Sequence, residues 1–214
     1  MDNNPMIRTR DQKVALRRGR IILALDITAS RESTWEIARE LQAKMFREAA
    51  PVGHLDVQLV YYRGEECRAS KWVDSGAVLA QLMNRIDCEA GRTQIGRVLQ
   101  HALRENDKAP IQAVTFIGDA MEEEIEELAT KASEFGKKKI PLFIWQEGRD
   151  PKVQKAFRLL ALKSGGQYFE FDPDRPGAVQ RLSSQLGSVA RLAVGDMKAL
   201  EKIGRTAALT DQRS

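Results

Sequence analysis

The sequence predicts an α/β fold, a Rossmann-like three-layer α/β/α sandwich built on a mostly parallel six-stranded sheet with one antiparallel edge strand. Three observations predict it. Apolar, β-rich runs alternate with amphipathic helical stretches, the order that produces a parallel sheet covered by helices on both faces. The link between the second and third strand runs, Gly64-Glu65-Glu66, suits a hairpin and not a crossover. Acidic and hydroxyl residues stand just beyond the carboxyl ends of two strands, the end of such a sheet at which ligands bind.

Taken in order, residues 20–26 read as a buried strand through Ile21-Ile22-Leu23-Ala24-Leu25. Residues 33–48 follow as a helix, opened by Ser33 and Glu36 in capping-box spacing, with Ile37, Ala38, Leu41 and Met45 on its core face. Residues 55–62 form the second strand and 67–73 the third. Residues 75–87 read as a helix through Val78, Leu79, Leu82 and Ile86. The cleanest periodicity lies in 93–106, where Ile95, Val98, Leu99, Ala102 and Leu103 fall at i, i+3, i+4, i+7 and i+8. Pro110 stops that segment, and 111–117 is a fourth strand. Residues 122–135 read as a helix closed by Gly136, acidic at its start and followed by Lys137, Lys138 and Lys139, as the helix dipole favours. A fifth strand at 140–145, a helix at 151–163 entered through Asp150-Pro151, a Gly165-Gly166 turn, a short strand at 167–171 and a helix at 178–193 complete the pattern. From Gly195 the periodicity weakens, and 206–214 reads as a loose tail. The expected organisation is a basic arm at 1–19, one folded domain at 20–194 and a tail at 195–214.

At 214 residues, 43% hydrophobic and 30% charged, the composition is that of an ordinary soluble globular protein with one well-buried domain. The net charge of +4 is unevenly spread. Arg8, Arg10, Lys13, Arg17, Arg18 and Arg20 stand against Asp2 and Asp11, so the N-terminal segment carries the whole net charge and the rest sums to zero. A basic arm can hold nucleic acid or acidic lipid. The neutral body, without a basic-aromatic stripe, counts against nucleic acid as a partner. No stretch resembles a signal sequence, and no run approaches the roughly 18–20 apolar residues of a membrane span. A cytoplasmic protein without membrane contact is expected. Cys67 and Cys88 lack metal or redox spacing and read as free buried thiols, while His54 and His101 are isolated and leave no His-based metal site. Trp72 and Trp145 read as core strand residues, and Trp35 as packed on the first helix.

What the chain offers for chemistry is oxygen. Asp26-Ile27-Thr28-Ala29-Ser30 follows the first strand, and alternate residues of an extended chain project to the same side. Asp26, Thr28 and Ser30 can therefore converge. Thr93, in Gly91-Arg92-Thr93-Gln94-Ile95-Gly96, opens a helix; Asp119, in Phe116-Ile117-Gly118-Asp119, follows the fourth strand. Oxygen-only donors of this kind suit a hard cation. Arg31 and Arg92 adjoin these residues and read as partners of local carboxylates or as groups that steer an acidic ligand. The acidic run at 122–127 reads as a solvated helix face, with a bias toward basic partner surfaces or a further carboxylate near these residues as alternatives.

These segments resemble the von Willebrand factor A (VWA) domain family, whose metal-ion-dependent adhesion site (MIDAS) is written Asp-x-Ser-x-Ser, then a Thr, then an Asp. The resemblance covers roughly residues 20–193, the Gly165-Gly166 turn included. Thr28 stands where the family has Ser, and Gly118-Asp119-Ala120 where members often have Thr-Asp-Gly. The resemblance implies a metal site formed by Asp26, Thr28, Ser30, Thr93 and Asp119, holding Mg²⁺, with Mn²⁺ or Ca²⁺ as alternatives. It implies a non-enzymatic binding module that captures an Asp or Glu carboxylate of a partner protein at the free position of the cation. Stand-alone domains of this type act as adaptors beside chaperones or AAA+ ATPases, so a partner in such a system is expected. One rival is a phosphohydrolase of the haloacid dehalogenase type, whose nucleophile motif Asp-x-Asp also follows an apolar strand. Its general acid would fall at Thr28, which cannot protonate a leaving group at neutral pH. The other rival is nucleic-acid binding through the basic arm.

Overall fold

The computed structural model describes residues 17–27, 32–63, 65–86, 92–201 and 203. In chain order the elements are β1 (Arg17–Asp26), α1 (Glu32–Ala49), β2 (Gly53–Arg63), β3 (Glu66–Ala69), α2 (Gly76–Met83), α3 (Ile95–Lys108), β4 (Ala113–Gly118), α4 (Ile125–Lys138), β5 (Leu142–Glu147), α5 (Pro151–Ser164), β6 (Gln167–Phe171) and α6 (Ala178–Ala193). The strands form one sheet in the order β3-β2-β1-β4-β5-β6. β3 runs antiparallel to β2 at the edge, and the other neighbouring strands are parallel. This is the predicted sheet, with its antiparallel edge.

The alternation along β1 explains the layers. Ile21, Leu23 and Leu25 enter a core shared with α1, α2 and α6, whereas Ile22 and Ala24 enter a second core shared with α3, α4 and α5. Each fully buried side chain of this size contributes roughly 1.5–3 kcal/mol, so neither face is left to solvent. The core residues expected on α1 and α3 are found there: Ala38, Leu41 and Met45 on one, Ile95, Val98, Leu99, Ala102 and Leu103 on the other. The chain leaves β1 toward β2 and β3, then returns to lay β4 against the other side of β1. The crevice between the carboxyl ends of β1 and β4 is therefore the topological switch point.

Several local expectations are corrected. β1 begins at Arg17, where Arg17 and Arg18 pair with Gly53 and His54, and the Arg18 guanidinium grips the Asp56 carboxylate. The third strand ends at Ala69, with only a bridge between Val57 and Val73 beyond it. Trp72 is accordingly not a core strand residue. Its ring lies 3.9 Å from the Arg20 guanidinium, and its indole N–H donates to Glu105 at 2.7 Å. An amphipathic ring with a polar partner needs no strand to hold it. Trp145, by contrast, is fully buried in β5. α4 runs through Gly136 and ends at Lys139 in the left-handed conformation (φ 57°). Gly136 serves close approach instead, since a Cβ there would sit 2.4 Å from the Lys163 carbonyl oxygen. α5 opens as expected, with the Asp150 carboxylate accepting from the Lys152 and Val153 amides, and Gly165 closes it with φ 75°. Beyond α6, Ala199 and Ile203 are buried, while the tail expected at 206–214 lies outside the described residues. Cys67 is a free, half-buried thiol whose pKa burial pushes up, while Cys88, Arg31 and the Trp35 side chain lie outside the described residues.

His101 sits half-buried on α3 with Nε2 2.9 Å from the Gln58 amide oxygen. Gln58 spends its NH₂ on the Ser70 carbonyl, so Nε2 carries the proton. Burial holds the His101 pKa below its ordinary 6.5; Glu105 opposes that shift, and Arg104 and Lys108 reinforce it. The unfolded chain thus takes up a proton that the folded chain resists. The His101 contribution to stability is complete above pH 6.5 and is lost as pH falls below that value. Urea melts of His101→Gln and wild type at neutral and mildly acidic pH should show a smaller acid-side loss in the variant.

Candidate metal site

Asp26 ends β1 with only 3% of its surface exposed. By the strand alternation it shares the face of Ile22 and Ala24, the face covered by α3 and α4. Aromatic rings adjoin it: Tyr62, its register partner on β2, stacks at 6.4 Å on Phe116, which meets Phe157 edge-on at 5.6 Å. On the other flank Leu25 pairs with Ile117, so Asp26 and Gly118 are neighbours across the β1–β4 seam. A Cβ built on Gly118 would stand 3.8 Å from the Asp26 Cβ and 2.7 Å from the Phe116 ring. Gly118 is thus required by the ring folded beneath it, and Asp119 follows it half-buried at the same end of the sheet.

Thr93 arrives from the other side of the chain. It is buried, and its hydroxyl oxygen accepts a hydrogen bond from the Glu122 amide at 3.0 Å, while its own amide donates to the Glu122 carboxylate at 3.1 Å. The Thr93 loop is therefore fastened to the loop that follows Asp119. Neither residue caps the helix after it. Gln94 holds the N-cap position of α3, Glu124 that of α4, and neither supplies a side-chain cap. Thr28 and Ser30 lie outside the described residues.

The acidic run overturns its expected role in part. The residues from Asp119 to Glu124 are not helical, Glu124 itself is extended, and α4 starts only at Ile125. Glu122 and Glu123 are released from the helix and turn toward α3. The Glu123 carboxylate accepts from the Ile95 amide at 2.6 Å and the Gly96 amide at 2.8 Å, two donors that the start of a helix leaves open. Burial raises the Glu123 pKa, and these two amides oppose the shift. Glu126 and Glu127 keep the expected place in the first turn of α4. Met121 and Ile125, both packed on the second core, explain the difference: with Leu128 they fall at i, i+4 and i+7 and imitate one more helical turn.

The donor chemistry fits a hard cation. The described candidates, Asp26, Asp119 and Thr93, offer two carboxylates and a hydroxyl, all oxygen donors. Among the described residues no group of three or more His, Cys, Asp or Glu is placed to hold a metal ion.

Neither a scan of protein families nor a search of curated proteins finds a match for the chain. Solved structures do match. One is BatB from Bacteroides thetaiotaomicron, with 16% identity, 87% of this chain and 99% of that one covered, and a TM-score of 0.62. Another is the SpRpn10 VWA domain, with 13% identity, coverage of 78% and 94%, and a TM-score of 0.62. A third is the proximal thread matrix protein 1 of the mussel byssus with a zinc-occupied MIDAS motif, with 15% identity, coverage of 84% and 46%, and a TM-score of 0.61. The chain has the fold of a VWA domain.

The Gly118 contact with the Phe116 ring can be checked directly. Gly118→Ala should cost about 1–3 kcal/mol by overpacking. Phe116→Leu should restore part of that loss in the double variant, measured as a coupling energy in a denaturation cycle.

Proposed function

We propose that the chain is a non-enzymatic, metal-dependent protein-binding domain. Asp26, Thr28, Ser30, Thr93 and Asp119 would hold one Mg²⁺, with Mn²⁺ or Ca²⁺ as substitutes. The observation that carries this reading is the meeting of Asp26 and the Asp119 loop at the switch point, with Thr93 fastened to that same loop. A zinc-occupied MIDAS motif in a protein of the same fold supports it. When bound, the cation supplies a positive charge with a free coordination position. The residues of the chain would do the rest: carboxylates and hydroxyls would hold the ion, beside the buried, stacked rings of Tyr62 and Phe116.

The ligand taken at the open position is an Asp or Glu carboxylate of a partner protein. Its bond to the ion is strong and local, so the loops around the site select the partner. We read that partner as part of a chaperone or AAA+ ATPase system and the domain as its adaptor, acting in the cytoplasm. No helix among the described residues is long and apolar enough to cross a membrane, and the scarcity of cysteine agrees with a reducing compartment.

Mg²⁺ should raise the melting temperature of the wild-type protein, with a stabilisation of about 2.7 kcal/mol at a hundredfold excess over Kd. Asp26→Ala and Asp119→Ala should abolish the shift. Affinity capture from the native cell, with Mg²⁺ or with EDTA, should yield partners that wild type retains only with the metal and Asp119→Ala never retains. Equal capture in EDTA would count against the proposal.

A further inference from the structure

Glu122 and Glu123 lie outside the proposed ligand set, yet they join the two loops that carry it. We infer that they are positioning residues for the cation, a clasp that sets the metal affinity of the site by holding Thr93 against the Asp119 loop before any ion arrives. This rests on the metal-binding reading above.

Four hydrogen bonds make the clasp. The Thr93 amide donates to Glu122, and the Glu122 amide donates back to the Thr93 hydroxyl. The Ile95 and Gly96 amides donate to the two separate oxygens of Glu123. A helix cap would need only the Glu123 pair. The Glu122 pair adds nothing to α3; it locks the backbone and side chain of Thr93 together. One acceptor site of the hydroxyl is taken by an amide, which leaves two directions to be shared by its second lone pair and its proton. Segments 29 positions apart in the chain are thereby closed on each other by protein groups alone. The ordering cost that an ion would otherwise have to meet is met by folding. Gly96 is the seat of the clasp: a Cβ there would lie 2.8 Å from the Glu123 carboxylate. The glycine of the Thr-x-Ile-Gly segment thus has a physical reason.

Two alternatives predict different numbers. Glu122 and Glu123 could act only through negative charge, or only through helix capping. The test titrates Mg²⁺ by calorimetry into the whole chain as wild type, Asp119→Ala, Glu122→Gln, the pair Glu122→Gln/Glu123→Gln, Gly96→Ala, and the pair Glu124→Gln/Glu126→Gln. Exchange of the Ile95 and Gly96 amides is read in EDTA.

The clasp pair should lose about 10-fold in Mg²⁺ affinity, the range seen when groups that orient metal ligands are removed. Its two amides should exchange faster. Gly96→Ala, which displaces the Glu123 carboxylate without changing any charge, should weaken binding too. The Glu124/Glu126 pair loses the same charge from exposed positions and should stay within about twofold of wild type. Glu122→Gln alone, at an exposed residue, keeps the test valid should the clasp pair fold poorly. Wild-type affinity in the clasp pair, with fast amide exchange, would make it a helix cap and overturn the inference. Equal weakening in both pairs would make it a charge effect and overturn the inference as well. Failure of the metal reading looks different: wild type itself would not respond to Mg²⁺ and would match Asp119→Ala.

Discussion

The structure depends on the alternation of β1. That strand has a parallel neighbour on each side and gives one set of side chains to each of the two cores. A slip of one residue would exchange the sets, put Ile21 and Leu23 against α3 and turn Asp26 toward α1. Apolar packing thus decides which face of the sheet receives the carboxylate. The site inherits its handedness from the core and not from any interaction among its own polar groups. The return of the chain from β3 to β4 then brings Asp119 to the same seam, because the only free edge beside β1 is the one that β4 fills.

Much of this was legible in the sequence, and for the same reason. Long apolar runs such as Ile21–Leu25 and the heptad-like spacing from Ile95 to Leu103 leave little choice of element, and the short link after Arg63 leaves little choice of partner. Legibility failed where one local signal served two causes. Gly136 has the residue type of a helix terminator, yet it lies inside α4 because α5 passes too close for a Cβ. Trp72 sits in a β-like run but is held by Arg20 and Glu105. Ile203 belongs to a core that the weak periodicity after Gly195 does not announce.

The candidate site divides along similar lines. The order of Asp26, Thr93 and Asp119 along the chain, and their place at strand ends and a helix start, could be read from spacing and topology. The work of Glu122 and Glu123 could not. A run of glutamates at the start of a helical pattern has a sufficient local explanation in the helix dipole. Only the open amides of α3, brought near by the fold, draw two of them away. The signal that could have hinted at it was Gly96: a glycine inside the best amphipathic helix of the chain costs about 1 kcal/mol against alanine and needs a neighbour that requires it. The fold is shared by proteins of varied roles, so function has to be argued from this corner of the molecule.

The most direct measurement is a crystal structure of the protein grown with Mn²⁺, with the ion located by its anomalous signal. The account predicts one strong peak in the crevice between β1 and β4, within about 2.3 Å of oxygens from Thr93 and the Asp26 loop and in contact, direct or through water, with Asp119. A peak elsewhere, or none with Asp26 and Asp119 turned into separate surroundings, would contradict it and leave a VWA fold without its cation.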